Sequence, residues 1–317
     1  MFLYRTLILM PVCFGLACKP KVDTVAESRP ASDNVKSAPV ALADPDDCHI
    51  RSLGITADDY RYTFYDQLMR LAISKMDHDL GNCVFDTTDF MSHTRKFSEL
   101  QHNRLDIVGN VSSTDLEEKF QPVKIPVYMG LHGVRLLVVK KGQESKFSGV
   151  KTLDDLRTLM AGVVHDWQVA DVLHENGLPI STNDDYESLF RMLDRGRIDY
   201  IPLAIFEAVK EVARRPQYGI TVEPNLLLLY PSTDYFFVNP QRPDLRERLT
   251  QGLQHAIADG SRDQLIEKIY GIQNLVVETD LSSRQVISLT NAANPADAPR
   301  HEPTYWYRLD FAKRDSQ

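Results

Sequence analysis

Cysteine and glycine are scarce, with four Cys and 15 Gly in 317 residues. The cysteines show no pairs at zinc spacing, and the nine histidines are scattered. A Gly-x-Ser-x-Gly elbow, a His-Glu-x-x-His helix and a phosphate loop ending in Gly-Lys-Ser/Thr are all missing. No catalytic residue, metal or cofactor is therefore expected. No internal apolar run approaches the ~20 residues of a membrane span. Basic residues are outnumbered, 36 against 44 acidic, for a net charge of −8. Such a chain repels phosphate backbones and anionic lipid, which argues against nucleic acid or a broad membrane surface as a partner. What is present is ordinary globular material, 43% hydrophobic and 25% charged. A single core stops growing near roughly 250–300 residues, so two lobes or domains are expected.

The first residues read MFLYRTLILMPVCFGLAC. Arg5 followed by the short apolar run Leu7 to Phe14 has the form of an export signal over residues 1–17. Gly15 and Ala17 are the small residues before a cleavage point at Cys18. Cys18 also stands where bacterial lipoproteins carry their lipidated cysteine, although Gly15 replaces the usual Leu. Residues 18–47 are rich in Pro, Ala, Ser and Asp, and no aromatic residue occurs between Phe14 and Tyr60. This segment lacks the apolar area to order itself and reads as a disordered tether.

Cys48 and Cys83 remain for the folded part, an even number in an exported protein. Each begins a strand-like segment, CHIRSLGI and CVFDTT. On neighbouring parallel strands the two cysteines share one strand end, so a Cys48–Cys83 disulfide is expected, contributing roughly 3–4 kcal/mol.

Strand and helix patterns alternate from there. His49 to Leu53 is strand-like, and Tyr65, Leu68, Met69, Ala72 and Met76 line one helical face. Cys83 to Phe85, a helix over Met91 to Asn103, and the strand Asp106 to Val111 complete a βαβαβ layout. A second series follows. Thr152 with Asp155 opens a helix, and Gly162 to His165 is a strand. Trp167 to Asn176 is a helix stopped by Gly177. Tyr186 to Leu193 carries an apolar stripe, Arg197 to Leu203 is strand-like, and Phe206 to Ala213 is helical. The apolar runs Val134 to Val139 and Tyr235 to Val238 bracket this series, which suggests an inserted lobe. The expected division is lobe 1 at 48–138 plus 236–317 and lobe 2 at 139–235, with hinges near Leu137 and Phe237. Beyond these, Leu245 to Ile257 forms a long helix, Ser261 with Gln264 caps the next, and Tyr305 to Tyr307 pin the tail.

The arrangement resembles the bacterial periplasmic solute-binding proteins of the second structural type, nearest to the polar-amino-acid group that serves ABC importers. The resemblance rests on KTLDDLRTLMAG at 151–162, YESLFRMLDRGRIDYIP at 186–202, YFFVNP at 235–240 and LRERLTQGLQHAIADGSRDQLIEKIYG at 245–271. A narrower subgroup shares His165-Asp166-Trp167 and the late Tyr305-Trp306. The implied fold is α/β, two-lobed, with mixed and mostly parallel sheets and two crossover strands. Two departures matter. Amino-acid binders usually carry Thr-x-x-Arg after the third strand, whereas Thr114 is followed by Glu117. They also carry a ligand-gripping Asp five residues past the Asp of Gly-Arg-x-Asp, whereas five past Asp199 stands Ala204. Both charged halves of an amino-acid clamp are missing.

In open parallel sheets, ligands sit beyond the carboxyl ends of the strands. That rule selects Gly54, Tyr60 and Arg61 after the first strand, and Asn110, Ser112, Ser113 and Thr114 after the third. In the second series it selects His165, Asp166 and Trp167, then Pro202 and Leu203. Ser112 to Thr114 either offer hydroxyls to a ligand or cap a helix. Asp166 either grips a cation or caps the Trp167 helix. Trp167 is either a stacking platform or an anchor in the second core. The expected function is binding of a small polar solute by hinge closure, outside the cytoplasm. The expected partner is an ABC permease, or alternatively a membrane receptor in a sensory role. Membrane contact is expected only through a lipid anchor, and the chain is expected to be a monomer.

Overall fold

The computed structural model describes residues 48–54, 62–76, 83–89 and 91–309. The expected signal and tether at 1–47, Cys18, Tyr60 and Arg61 lie outside the described residues. Among the described residues, no helix is long and apolar enough to cross a membrane.

The chain opens with β1 (His49–Leu53), α1 (Thr63–Ser74), β2 (Val84–Thr88), α2 (His93–Gln101), β3 (Ile107–Val111), α3 (Thr114–Lys119) and β4 (Pro122–Val123). There follow β5 (Val134–Lys140), α4 (Leu153–Leu156), β6 (Ala161–Val164), α5 (Gln168–Glu175) and β7 (Ile180–Asn183). Next come α6 (Tyr186–Asp194), β8 (Tyr200–Ala204), α7 (Ile205–Ala213), β9 (Ile220–Val222) and β10 (Leu226–Leu229). The last elements are β11 (Asp234–Val238), α8 (Pro243–Ala258), α9 (Ser261–Tyr270), α10 (Ile272–Glu278) and β12 (Gln285–Ser288).

β1 pairs with β2 in parallel, His49 opposite Val84. This register puts Cys48 and Cys83 at one strand end, and their sulfurs are bonded. β11 lies between β3 and β4 and is antiparallel to both. The second layer is one mixed sheet in the order β12-β10-β5-β8-β6-β7, with β9 also on β5. Every partner of β5 and every partner of β11 runs antiparallel to it. The remaining pairings, β1–β2, β6–β7, β6–β8 and β10–β12, are parallel. Antiparallel pairing is thus concentrated at β5 and β11, which follow directly on the loops at 124–133 and 230–233.

Two details differ from the sequence reading. Leu137 and Phe237 lie inside β5 and β11 and are wholly buried. The passages between sheets fall just outside those strands, at 124–133 and 230–233. β12 also joins the second sheet, so residues 236–317 are not confined to the first. It was hard to read because QVIS is only four residues long.

Local chemistry explains most element ends. Thr152 accepts from the Asp155 amide while Asp155 accepts from the Thr152 amide, the expected capping box. α9 starts differently: Gly260, with φ +76°, precedes it, and no side chain caps it, so the expected Ser261 cap is not made. α8 lies directly on α1 because Gly252 has no side chain; a Cβ there would sit 2.0 Å from the Ala72 oxygen.

Tyr128, in the first passage, knits the layers together. Its ring stands edge-on to Phe64 and Tyr65 of α1 and stacks on Phe206 of α7 at 4.7 Å. Its hydroxyl meets that of Tyr270 at 3.0 Å. The tail fastens beside it: Tyr307 donates its amide to the Met129 oxygen and its hydroxyl to Glu267, while Trp306 packs on Gly130.

Candidate functional site

The segments that follow β3 and β6 meet in one region. Gln168, first residue of α5, donates its amide to the Ser112 carbonyl oxygen at 2.7 Å. This bond joins the end of β3 to the segment after β6, and so one sheet layer to the other.

The expected residues divide into those that face this region and those already engaged. Ser112 is fully buried, and its hydroxyl donates to Glu117 at 2.7 Å. Ser113 caps α3 by accepting from the Leu116 amide. The Thr114 amide and hydroxyl both turn to the Ala293 oxygen in the tail. The hydroxyl run therefore caps and braces the fold. Asn110 lies within donor distance of His93 Nε2, 2.8 Å, and donates to the Val111 oxygen. His165 and Asp166 are exposed after β6. No side chain caps α5, so the capping role weighed for Asp166 is not used. Trp167 is half-buried, touches both of the larger apolar clusters and lies 5.3 Å from Tyr186. Pro202 was expected past the end of a strand. It is instead in the middle of β8, buried and paired with Leu137, because β8 runs on to Ala204.

The two positions of the missing clamp are also accounted for. Glu117 accepts from Ser112 and pairs with Lys124. Ala204 is buried, and its amide donates to Glu207.

Sequence reasoning missed His93 and Lys96 of α2. Lys96 falls on the buried face, four residues before Leu100, and that misplaced charge was the available signal. It is 4% exposed and donates to the Gly109 carbonyl oxygen at 3.1 Å. Burial pushes its ammonium down to about 7, with the Asp166 charge opposing the shift. Burial, aided by the Lys96 charge, pulls His93 down to about 4, again against Asp166. Asp166 belongs to the second layer, so Lys96 and His93 of α2 and the segment after β6 face each other across the junction.

Gly109, whose carbonyl Lys96 meets, also borders a small cavity of about 40 Å³, with Ser52, Gly54, Tyr62 and Tyr65 in its wall. Gly109 is needed there: a Cβ would come within 2.1 Å of the Tyr65 ring. Ser52 is 3% exposed, and its hydroxyl has no hydrogen-bond partner among the described residues. A larger recess of about 180 Å³ lies elsewhere, beside β7 and α6, and holds none of the expected residues.

The two-layer arrangement, with β5 and β11 following the passages, is the two-lobe fold of the type 2 periplasmic binding proteins. Solved structures of amino-acid-binding proteins of this type match the chain with low identity. An ancestral arginine-binding protein bound to arginine is 19% identical, covering 70% of this chain and 98% of its own, with a TM-score of 0.51. An amino acid ABC transporter substrate-binding protein from Streptococcus pneumoniae, bound to L-arginine, is 17% identical, covering 71% and 94%, with a TM-score of 0.53. The periplasmic VFT2 domain of BvgS from Bordetella pertussis is 15% identical, covering 71% and 92%, with a TM-score of 0.51. No protein-family model matches the sequence, and no curated protein matches it.

Proposed function

We propose that this protein binds a small polar solute outside the cytoplasmic membrane, closing two lobes over it and delivering it to an ABC-type importer. The lobes correspond to the two sheet layers, with the passages at 124–133 and 230–233 as the hinge. The observation that carries this reading is the Gln168–Ser112 bond, which joins the two layers at the carboxyl ends of β3 and β6. Ligands of open α/β sheets collect at such strand ends. A solute bridging both sides would hold the lobes together and shift the population toward the closed form. The export signal and Cys18 support a lipid-anchored domain on a tether, and the chain works as a monomer. Asn110, His165, Asp166 and Trp167 remain its candidate contacts in this reading.

A second reading keeps the fold and changes the partner: a sensory domain that signals to a membrane receptor. Glu117 and Ala204 favour it, because they stand where an amino-acid importer would carry its clamp. The fold likeness to the BvgS domain is compatible with it.

A thermal-shift screen over amino acids, sugars, nucleosides, organic acids and polyamines tests solute binding. A true solute at 100 times its Kd adds roughly 2.7 kcal/mol of stability. Stabilisation by one chemical class supports binding, and silence across the panel favours a partner-interaction role. Adjacent permease and ATPase genes support import, and an adjacent receptor gene supports sensing.

A further inference from the structure

Four cationic side chains are buried among the described residues: Lys96, Arg135, Arg262 and Arg284. Three have a carboxylate nearby. Arg135 lies 3.9 Å from Glu207, Arg262 2.8 Å from Asp263 and Arg284 4.0 Å from Glu223. Among the described residues, Lys96 has no carboxylate within 4.0 Å, and Asp166 reaches it only as a more distant charge. Its ammonium meets one carbonyl oxygen, that of Gly109, and lies 6.0 Å from the centres of the Tyr62 and Phe97 rings. A buried ammonium without a close counter-charge is costly, and a bound anion would offset that cost.

The surroundings say what kind of anion. Gly109 and Tyr62, which Lys96 touches or overlooks, form part of the wall of the 40 Å³ cavity. Ser52, in the same wall, brings the buried hydroxyl that lacks a partner. The rest of the wall is chiefly apolar, with Leu53, Met69 and Val108. Asp66 also borders it, but its carboxylate is held by Arg70 at 2.9 Å. A water needs roughly 10–15 Å³ of such space, so the cavity has room for a few heavy atoms.

Resting on the solute-binding reading above, we propose that the solute is a short aliphatic carboxylate. Its carboxylate pairs with the Lys96 ammonium, its short hydrocarbon end enters the cavity, and the Ser52 hydroxyl donates to one of its oxygens. An α-ammonium group is not required, which agrees with Glu117 and Ala204 at the clamp positions. The charged and titratable groups facing Lys96 are His93, on its own helix, and Asp166, after β6. A ligand carboxylate adds a third and returns the proton that burial removes from the amine.

The test is calorimetry on the mature chain with propionate, butyrate, lactate and pyruvate, set against propionamide, glucose and L-amino acids. The carboxylates are expected to bind at least about 10-fold more tightly than the amide, as for one hydrogen bond to a charged group. Lys96→Met is expected to lose about 10- to 100-fold in carboxylate affinity without a lower melting temperature, because it removes a buried unpaired charge. Ser52→Ala is expected to lose less. At about pH 8, in buffers of different ionisation enthalpy, binding to the parent chain takes up protons and binding to Lys96→Met takes up none. Equal binding of propionate and propionamide, or tighter binding of an amino acid than of its amine-free analogue, overturns the proposal. If a neutral solute binds instead, the carboxylate assignment fails and the solute-binding reading stands. If nothing in the panel binds, both fail.

Discussion

Gln168 and Ser112 form a direct bond between the two sheet layers: the Gln168 side-chain amide donates to the Ser112 main-chain oxygen at 2.7 Å. The contact sits where a bridging solute would act, and it holds the layers together through groups of the chain itself. Gln168→Ala is therefore expected to favour the open form of the free protein. Small-angle scattering should show a larger radius of gyration for the ligand-free variant than for the parent. The expected change in closure energy is about 1 kcal/mol, the net value of one hydrogen bond. An unchanged radius would mean that Gln168 does not restrain closure.

The Cys48–Cys83 bond closes a sequence separation of 35 residues. By the chain-entropy model its loss costs about 4 kcal/mol. The double variant Cys48→Ser, Cys83→Ser should unfold at lower denaturant while solute affinity stays the same, since the bond lies at the amino ends of β1 and β2, away from the candidate site. Equal denaturation midpoints would contradict this.

Asp234 gives a pH dependence with a definite sign. Its carboxyl is buried at the start of β11, accepts from the Tyr128 amide at 3.0 Å and from the Tyr65 hydroxyl at 3.1 Å, and is raised by burial to about 7. A raised acid holds its proton in the folded state after the unfolded chain has released it. Its contribution is fully present below the ordinary carboxylate range and is lost as pH rises through about 7. The parent should therefore lose stability relative to Asp234→Asn as pH rises from about 4 to about 7, and the difference should level off above that. Denaturant melts of both proteins across this range measure it. A flat difference would show that Asp234 is ionised throughout.

Trp167 sits against Tyr186 and also beside the junction. Trp167→Ala is expected to weaken solute binding more than it lowers the stability of the free protein. Melting and calorimetry on the same variant compare the two losses. Equal losses would assign the ring to the second core.

Much of the fold was legible because its long elements repeat simple patterns. The face of α1, the capping box before α4 and the bracketing runs that became β5 and β11 all follow from spacing. The disulfide followed from reading two short segments as parallel neighbours. β7, β9, β10 and β12 were missed because they are three or four residues long, and the first two bury only part of their surface. LLLL in β10 has no alternation to reveal a strand. The site was less legible. Strand-end logic led to Ser112 and the segment after β6, but could not show that Ser112, Ser113 and Thr114 spend their polar groups on Glu117, Leu116 and Ala293. Pro202 was misplaced because the last residues of the strand-like segment Arg197 to Leu203 were taken as its open end, whereas β8 continues to Ala204. Lys96 was overlooked because lysines are ordinarily solvated, and its burial depends on tertiary contacts that a single helix does not display.

The central claim is closure of two lobes over a solute, and small-angle scattering with and without the solute found by thermal shift tests it most directly. The radius of gyration should fall on binding, and should fall less in Lys96→Met at the same solute concentration. A solute that stabilises the protein yet leaves the radius unchanged would contradict the account.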